Sequence, residues 1–430
     1  MAHLKPLMAV IILALGSVPV AGLAEWRAHQ VRQLNGGARP LHLPARLQIV
    51  TESWNRVVAV PFLVNMPEKD RLLMLVGCDY PHRAYVLTSD DRGATWTDPR
   101  PVRVGDDGKP SIGMGTGLAY LGQGKLVFYE DGILAAGQPS RWFSSDFGKT
   151  WGTPVPIASS SDDKPWYIWD PPLVDRQAGT RKILQLAETG YRQSGTSSQA
   201  SIRFSTDLGQ TWSKSITVPQ WRGVNEVCLF RAGNGDLLAA CRTDVPRRMK
   251  GKTLDHYEGL GISVSRDDGR TWSAVNKLYD YGRHHPSLVL MPNQDIVMTY
   301  VVRLGYVDDR NGFPQFGIEA LVSHDHGVTW DFDHRYLLHV WSGKRKGDTY
   351  WWPSSQASSS TLSPDGAILT AFGTGYRIQA GPDSPQAPRD AGLVKWRLNP
   401  KPGNADTTIR DAAFDADLRN VFDPGISDAR

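Results

Sequence analysis

Cysteine is scarce in this chain, with three in 430 residues. Three thiols cannot build the disulfide lattice of a small stapled domain, so a fold of this length must be held by its own core. Cys228 and Cys241 flank the turn Gly233-Asn234-Gly235-Asp236. A two-residue hairpin turn at Asn234-Gly235 would set them directly opposite each other, a strained place for a disulfide, so they read as two small buried thiols. Cys78 has no evident partner. Long apolar runs are scarce as well. Leu7 to Leu15 (LMAVIILAL) is uninterrupted but short, where about 20 residues are needed to span a bilayer as a helix. Lys5 before it, the breakers Gly16, Ser17 and Pro19, and the small residues of Gly22-Leu23-Ala24 read as a secretory signal. Residues 1–24 are therefore expected to be a signal peptide, and the mature protein secreted or periplasmic, without stable membrane insertion. Charge of one sign is also in short supply. The net charge is +4 with 21% charged residues, and no recognition motif points to nucleic acid. His284-His285 precede Pro286 with no third ligand at recognisable spacing, so no metal and no cofactor are expected.

Turn formers and tryptophan are what the chain has in quantity: 42 glycines, 29 prolines and 15 tryptophans beside 40% hydrophobic residues. That balance suits a turn-dense β protein. One octet, S-x-D-x-G-x-T-W, recurs five times, from Ser89, Ser144, Ser205, Ser265 and Ser323 to Trp96, Trp151, Trp212, Trp272 and Trp330, at intervals of 55 to 61 residues. One structural unit is being repeated. The octet reads as a β-turn in which each Asp accepts backbone N–H groups and the following Gly takes a conformation that other residues resist. Each Trp is then expected to bury its ring between adjacent sheets while its N–H finds a partner. These are structural roles.

Around each octet runs a rhythm of four short strands. In the fourth unit these are Glu226 to Phe230, Asp236 to Arg242, Leu260 to Val264 and Ala274 to Leu278. A sixth unit lacks the octet and keeps the rhythm, from Ser358 through the turn Pro364-Asp365-Gly366 to Leu398. The expected fold is all-β, a six-bladed β-propeller with four-stranded antiparallel blades, over residues 25–400. Its last blade would take its outermost strand from the segment after the signal, which leaves no open edge. Residues 401–430 read as a C-terminal tail, and the chain is expected to be a monomer.

The octets are the Asp boxes of the sialidase (neuraminidase) superfamily, also called BNR-repeat proteins, which this sequence resembles over nearly its whole mature length. The resemblance implies an exo-α-sialidase type of glycosidase, a hydrolase of carbohydrate metabolism. Asp boxes also occur in lyases and in non-catalytic propellers, so site motifs must decide the function. Glu226 in Val224-Asn225-Glu226-Val227 and Arg242 in Ala240-Cys241-Arg242 resemble the family's Glu and one member of its arginine triad. Arg303 resembles the triad's later arginine, and Arg56, in Arg56-Val57-Val58-Ala59-Val60-Pro61, its first. At the usual spacing of the nucleophilic Tyr stands Ala357, and Tyr350 is the candidate in the same connection. Asp79, in Gly77-Cys78-Asp79-Tyr80-Pro81-His82-Arg83, is the candidate acid/base.

Propeller topology makes a similar selection without the family. Starts of innermost strands and ends of second strands gather at one funnel, and these positions include Arg56, Asp79 to Arg83, Trp169-Asp170, Asn225-Glu226, Arg242, His284-His285, Arg303 and Tyr376-Arg377. Arginines can hold a carboxylate through paired N–H donors. A phenol nucleophile suits an anomeric carbon that already bears a carboxylate, since it avoids the repulsion a second carboxylate would meet. Glu226, Tyr350 and Asp79 are thus the catalytic candidates, with Arg56, Arg242, Arg303 and His82 binding an acidic glycan. Basic loops at Arg247 to Lys252 and Lys344 to Lys346 would steer such a ligand or serve as ordinary solvated charge. Two other functions fit the same inventory. One is a polysaccharide lyase or another glycosidase on uronic-acid glycans, with His82, Tyr191 or Tyr306 moving the proton. The other is a non-catalytic glycan-binding propeller.

Overall fold

The computed structural model describes residues 25–132, 138–158, 166–177, 182–194, 197–249, 257–303, 316–340, 357–377 and 388–399. Within them the chain is all-β, with helix confined to two short 3-10 turns, Pro67–Lys69 and Arg247–Met249. An N-terminal hairpin comes first (β1, Arg27–Asn35; β2, Ala38–Ile49). The first four-stranded sheet holds β3 (Val58–Met66), β4 (Arg71–Cys78), β5 (Arg83–Ser89) and β6 (Arg100–Pro101). The second holds β7 (Gly115–Gly122), β8 (Lys125–Glu130), β9 (Ser140–Ser144) and β10 (Val155–Pro156). In the third are β11 (Leu173–Arg176), β12 (Ile183–Ser194), β13 (Ser197–Ser205) and β14 (Ile216–Arg222), and in the fourth β15 (Val224–Arg231), β16 (Leu237–Thr243), β17 (Gly259–Ser265) and β18 (Asn276–Tyr279). The remaining strands are β19 (Arg283–Leu290), β20 (Ile296–Val302), β21 (Gly317–Ser323), β22 (Tyr336–Val340), β23 (Ser358–Leu362), β24 (Ile368–Tyr376) and β25 (Arg389–Trp396). With the hairpin they form one nine-stranded sheet in the order β19-β20-β21-β22-β1-β2-β25-β24-β23.

This is a β-propeller of four-stranded blades, but the expectation of six separate blades is corrected. Four blades stand alone, and the rest is a single barrel-like sheet. The cause is the hairpin. β2 pairs with β25, as expected for a closing outer strand, but β1 also bonds to β22 through Arg32↔Leu337 and Gln33↔Tyr336. Hydrogen bonds therefore run unbroken across what would have been a gap, and no edge is left unpaired there. The innermost strands β3, β7, β11, β15, β19 and β23 pack each against the next and close a ring.

The core lies between sheets. One apolar cluster joins β3 and β4 to β7 and β8 through Phe62, Leu75, Leu118 and Phe128, and another joins β16 to β20 through Leu238, Leu260 and Met298. Inner strands are covered on both faces, which is why β3 and β4 read as nearly continuous apolar runs. The octets wedge the sheets together. In each, the Ser hydroxyl donates to its Asp at 2.7–2.9 Å, and the Asp accepts the Thr N–H at 2.8–2.9 Å. The octet glycines take φ of +78° to +91°. A Cβ on Gly148 would sit 2.2 Å from Leu73 of the preceding sheet, and one on Gly327 2.4 Å from Leu238. These turns need glycine both for φ and for close approach. Trp272 and Trp330 are buried as expected, whereas Trp96, Trp151 and Trp212 are only half-buried. The indole N–H of Trp96 reaches Gln48, and those of Trp212 and Trp272 reach their own octet's Gly carbonyl, but those of Trp151 and Trp330 have no hydrogen-bond partner.

The two cysteines are not opposite each other. Ala232 N–H bonds to Asp236 O at 2.9 Å, so the turn is longer than two residues, and the register pairs Cys228 with Ala240 and Cys241 with Val227. One step along a strand turns a side chain to the other face. Cys228 accordingly packs towards Leu288 and Met298, while Cys241 packs towards Leu173 and Ile202. All three cysteines are free and buried.

Candidate active site

The strand register sets which residues share a face. Val58 pairs with Cys78, Gly115 with Glu130, Val224 with Thr243, Arg283 with Val302 and Ser358 with Phe372. In these five pairs the start of the innermost strand therefore lies beside the end of its second strand, all at one end of the ring. Arg56, Asp79, Glu226, Arg242, His285 and Arg303 occupy such positions.

Three of the sequence candidates are brought together. Arg242 Nη1 lies 2.9 Å from Glu226 Oε1, and its Nε bonds to Glu258. The other oxygen of Glu226 is 3.1 Å from His285 Nδ1, and His285 Nε2 is 3.4 Å from Arg303 Nη2. Glu226, His285 and Arg303 are buried. Asn225 holds the carboxylate's backbone, accepting the Glu226 N–H at 2.7 Å, while its own amide reaches Glu258 at 3.4 Å. A carboxylate taken this far from water needs its cationic partner, and removing one member of such a pair costs about 3–5 kcal/mol.

Other groups surround this chain of contacts. Asp170 is buried with φ of +75°, and its Oδ2 has no hydrogen-bond partner. Burial, then the nearby Glu226 charge, hold its carboxyl well above the usual range. The Tyr191 phenol is raised by the same two causes. His285 is pushed below the ordinary imidazole value by burial, which outweighs the attraction of Glu226. The Trp169 ring lies 5.7 Å from that of His285 and also packs on the cluster that contains Ala59, Val60 and Ala357. That cluster leads to a second group.

There Arg56 grips Asp79 with both ends of its fork, Nη2 to Oδ2 at 2.6 Å and Nε to Oδ1 at 3.2 Å. The Asp79 hydrogen bond is the largest cause of the raised Arg56 pKa. The His82 ring lies 4.5 Å from that of Tyr80, tilted by 35°, and burial followed by the Arg389 charge lowers its pKa to about 4. Tyr80 and Tyr376 share a hydroxyl–hydroxyl contact of 2.5 Å, and burial raises Tyr80 to about 12. Arg389 N–H bonds to Arg56 O at 3.1 Å, which places the last sheet's third strand against the entry to β3.

The candidates thus fall into two groups on one face. Tyr350, Trp351, Trp352, Tyr306, Lys250, Lys252 and Lys344 to Lys346 lie outside the described residues. Of the first basic loop, Arg248 pairs with Asp280 at 2.7 Å. Sequence reasoning passed over Glu258 and Arg389. Neither is at an innermost-strand start or a second-strand end: Glu258 precedes a third strand and Arg389 begins one. It also read His285 as packing and hydrogen bonding, and the structure adds that its partner is Glu226. Among the described residues no cluster of His, Cys, Asp or Glu could hold a metal ion, and no helix is long and apolar enough to cross a membrane.

No protein-family model matches the chain, and no curated protein matches it. Among solved structures it is similar to a protein of unknown function from Dyadobacter fermentans DSM 18053, with TM-score 0.59 and 16% identity, covering 86% of this chain and 99% of that one. It is also similar to the NanB sialidase from Streptococcus pneumoniae, with TM-score 0.54 and 12% identity, covering 80% of this chain and 68% of the sialidase. A glycoside hydrolase, the alpha-L-arabinofuranosidase of Fusarium graminearum, follows at TM-score 0.40 and 14% identity, covering 86% and 98%. The first two likenesses show the propeller fold.

Proposed function

We propose that this chain is an exported glycoside hydrolase of the sialidase-like kind, which removes a terminal acidic sugar from a glycan. The observation that carries the reading is the contact chain Arg242–Glu226–His285–Arg303, two arginines and a carboxylate at one end of a ring of inner strands. The likeness to a sialidase of the same fold supports it. In this reading residues 1–24 are the signal.

Arg242 and Arg303, with Arg56, hold the substrate carboxylate. Tyr350 attacks the anomeric carbon while Glu226 takes the phenol proton, and Asp79 protonates the departing oxygen. Asp79 then deprotonates the water that releases the sugar from tyrosine. No cofactor is required. The test is incubation with a sialyl-lactose and a panel of uronic-acid glycans, read by product mass. Free sialic acid, lost in Arg242→Ala, supports the reading. Activity only on another glycan, unaffected by Arg242→Ala, eliminates it.

A second reading, β-elimination on a uronic-acid glycan, has one observation in its favour. His82, held neutral, packs against Tyr80 beside the charge of Arg389. An unsaturated, ultraviolet-absorbing product would select the lyase.

A further inference from the structure

A second opening lies at the other end of the ring. It is a cleft of about 1080 Å³ between the third and fourth sheets, and it reaches the nine-stranded one. Its walls come from the ends of the innermost strands β11, β15 and β19 and from the start of β12, the ends opposite to Glu226 and Arg242. Along β15 five residues separate Glu226 from Arg231, a span of about 17 Å. One carboxylate anchors the polar side of the cleft. Asp175 is buried and takes Arg231 on both oxygens, from Nε at 3.1 Å and from Nη2 at 2.5 Å. It also accepts the amide of Gln185, its register partner, at 3.3 Å. The remaining arm of Arg231 donates to Gly235 O at 2.6 Å and to Asp268 Oδ1 at 2.9 Å. The guanidinium is thus pinned by a strand, a hairpin turn and an octet at once. Leu184, Phe204 and Leu290 make the apolar side, and Leu184 is 48% exposed although it lies within β12. A Cβ on Gly235 would meet nothing within 4 Å, so the turn keeps the space clear.

We propose that this cleft is a separate glycan-binding site, one that takes uncharged sugar residues. A sugar ring offers hydroxyls that both donate and accept, and a face of C–H groups. The cleft offers the complement. The carboxylates of Asp175 and Asp268 accept, the Gln185 amide and the Arg231 fork donate, and the strip of Leu184, Phe204 and Leu290 covers the C–H face. Asp175, Asp268, Arg176, Arg231 and Arg270 are the charged groups of the lining, and Arg176 is turned aside to the Tyr120 carbonyl at 3.2 Å. The other four charges cancel, so the cleft has no preference for an acid. Held by one another before a ligand arrives, Asp175, Arg231 and Asp268 lose little freedom on binding. The site needs no chemistry from Glu226, and it stands whether or not a sugar is cleaved at the other end. A glycan surface gripped here while a chain end enters the other opening is held twice, which raises retention without any new contact there.

The test is a ligand-observed NMR titration of the full chain with lactose, N-acetyllactosamine, maltotriose and arabinotriose, repeated on Leu184→Ser, Gln185→Ala and Glu226→Gln. At least one of these sugars should bind the parent. Leu184→Ser and Gln185→Ala should each weaken it by about fivefold or more, and Glu226→Gln should leave its affinity within about twofold of the parent. Leu184 is half-exposed, so Leu184→Ser should melt within a few degrees of the parent and keeps the test open if Gln185→Ala does not fold. Affinity within about twofold of the parent in either folded cleft variant overturns the site. A sugar whose binding is lost in Glu226→Gln sits at the other end of the ring, and a panel with no other binder overturns the cleft site as surely as no binding at all. Sialic acid release is not part of the readout. Cleft-dependent binding by a chain that releases none retires the hydrolase and keeps this site, and release without cleft-dependent binding does the reverse.

Discussion

Glu226 meets His285 across the join between the fourth sheet and the nine-stranded sheet, with Oε2 3.1 Å from Nδ1. The far partners fix the tautomer. Arg303 only donates, so the His285 Nε2 that faces it accepts, which leaves the single proton of the neutral ring on Nδ1, the nitrogen nearer Glu226. Glu226 thus lies within 3.1 Å of both the Arg242 guanidinium and the His285 ring.

Glu226→Gln keeps the shape and removes the basicity. We expect hydrolysis to fall by about 100-fold or more, the usual worth of a positioned acid or base. The Tm should move by only a few degrees, because Glu258 still holds Arg242. Steady-state rates together with a melting curve check both parts. A variant with normal rates would remove Glu226 from the chemistry.

The octet glycines should be intolerant of a methyl group in proportion to what they touch. Gly148→Ala combines φ of +78° with a Cβ 2.2 Å from Leu73 and should cost about 1–3 kcal/mol. Gly235→Ala, at φ of +94° with nothing within 4 Å, should cost less, about 1 kcal/mol from the backbone conformation alone. Urea unfolding of the two variants gives the ranking.

Acid should weaken the fold from pH 6.5 downward. His29, His82, His285 and His339 are all held neutral by burial, with His82 near 4 and His339 near 3. An unfolded histidine takes up its proton near pH 6.5. Unfolding therefore binds protons between that value and the folded one. The stability these groups contribute is full above pH 6.5 and falls as the pH drops, by about 1.4 kcal/mol per pH unit for each proton bound. Asp170, raised by burial, acts in the opposite sense, since unfolding lets it ionise. Four histidines outweigh it. Melting from pH 7.5 to 4.5 should show a steady decline, made shallower by His339→Gln.

The three thiols should be inert in the native protein. Burial lifts Cys78 and Cys241 to about 12, and Cys228 rises for the same reason. A thiol reagent should label none without denaturant and all three with it, and reductant should leave the Tm unchanged.

The readable part of this molecule was local. Ser89 to Trp96 and its four copies carry their turn in their own side chains, so repeat length, blade strands and octet geometry could be taken from the residues. What depended on distant pairing could not. The contact of Arg32 with Leu337 joins the two ends of the ring, and nothing near either residue announces that it merges two units into one sheet. The Cys228–Cys241 register failed for a smaller reason, a turn that begins at Ala232 and ends at Asp236 rather than lying at Asn234-Gly235. Topology placed Glu226, Arg242 and Arg303 at one end of the ring because strand ends are periodic. Glu258 and Arg389 begin or precede third strands, positions that this periodicity does not select.

The most direct measurement is release of sialic acid from a sialyl-lactose by the full chain, compared with Glu226→Gln and with an uncharged galactosyl-lactose. Release by the parent alone, at least 100-fold slower in the variant and undetectable from the neutral sugar, is the expected result. Equal turnover of the charged and neutral glycans, or equal rates in parent and variant, would contradict a carboxylate-reading site built on Glu226.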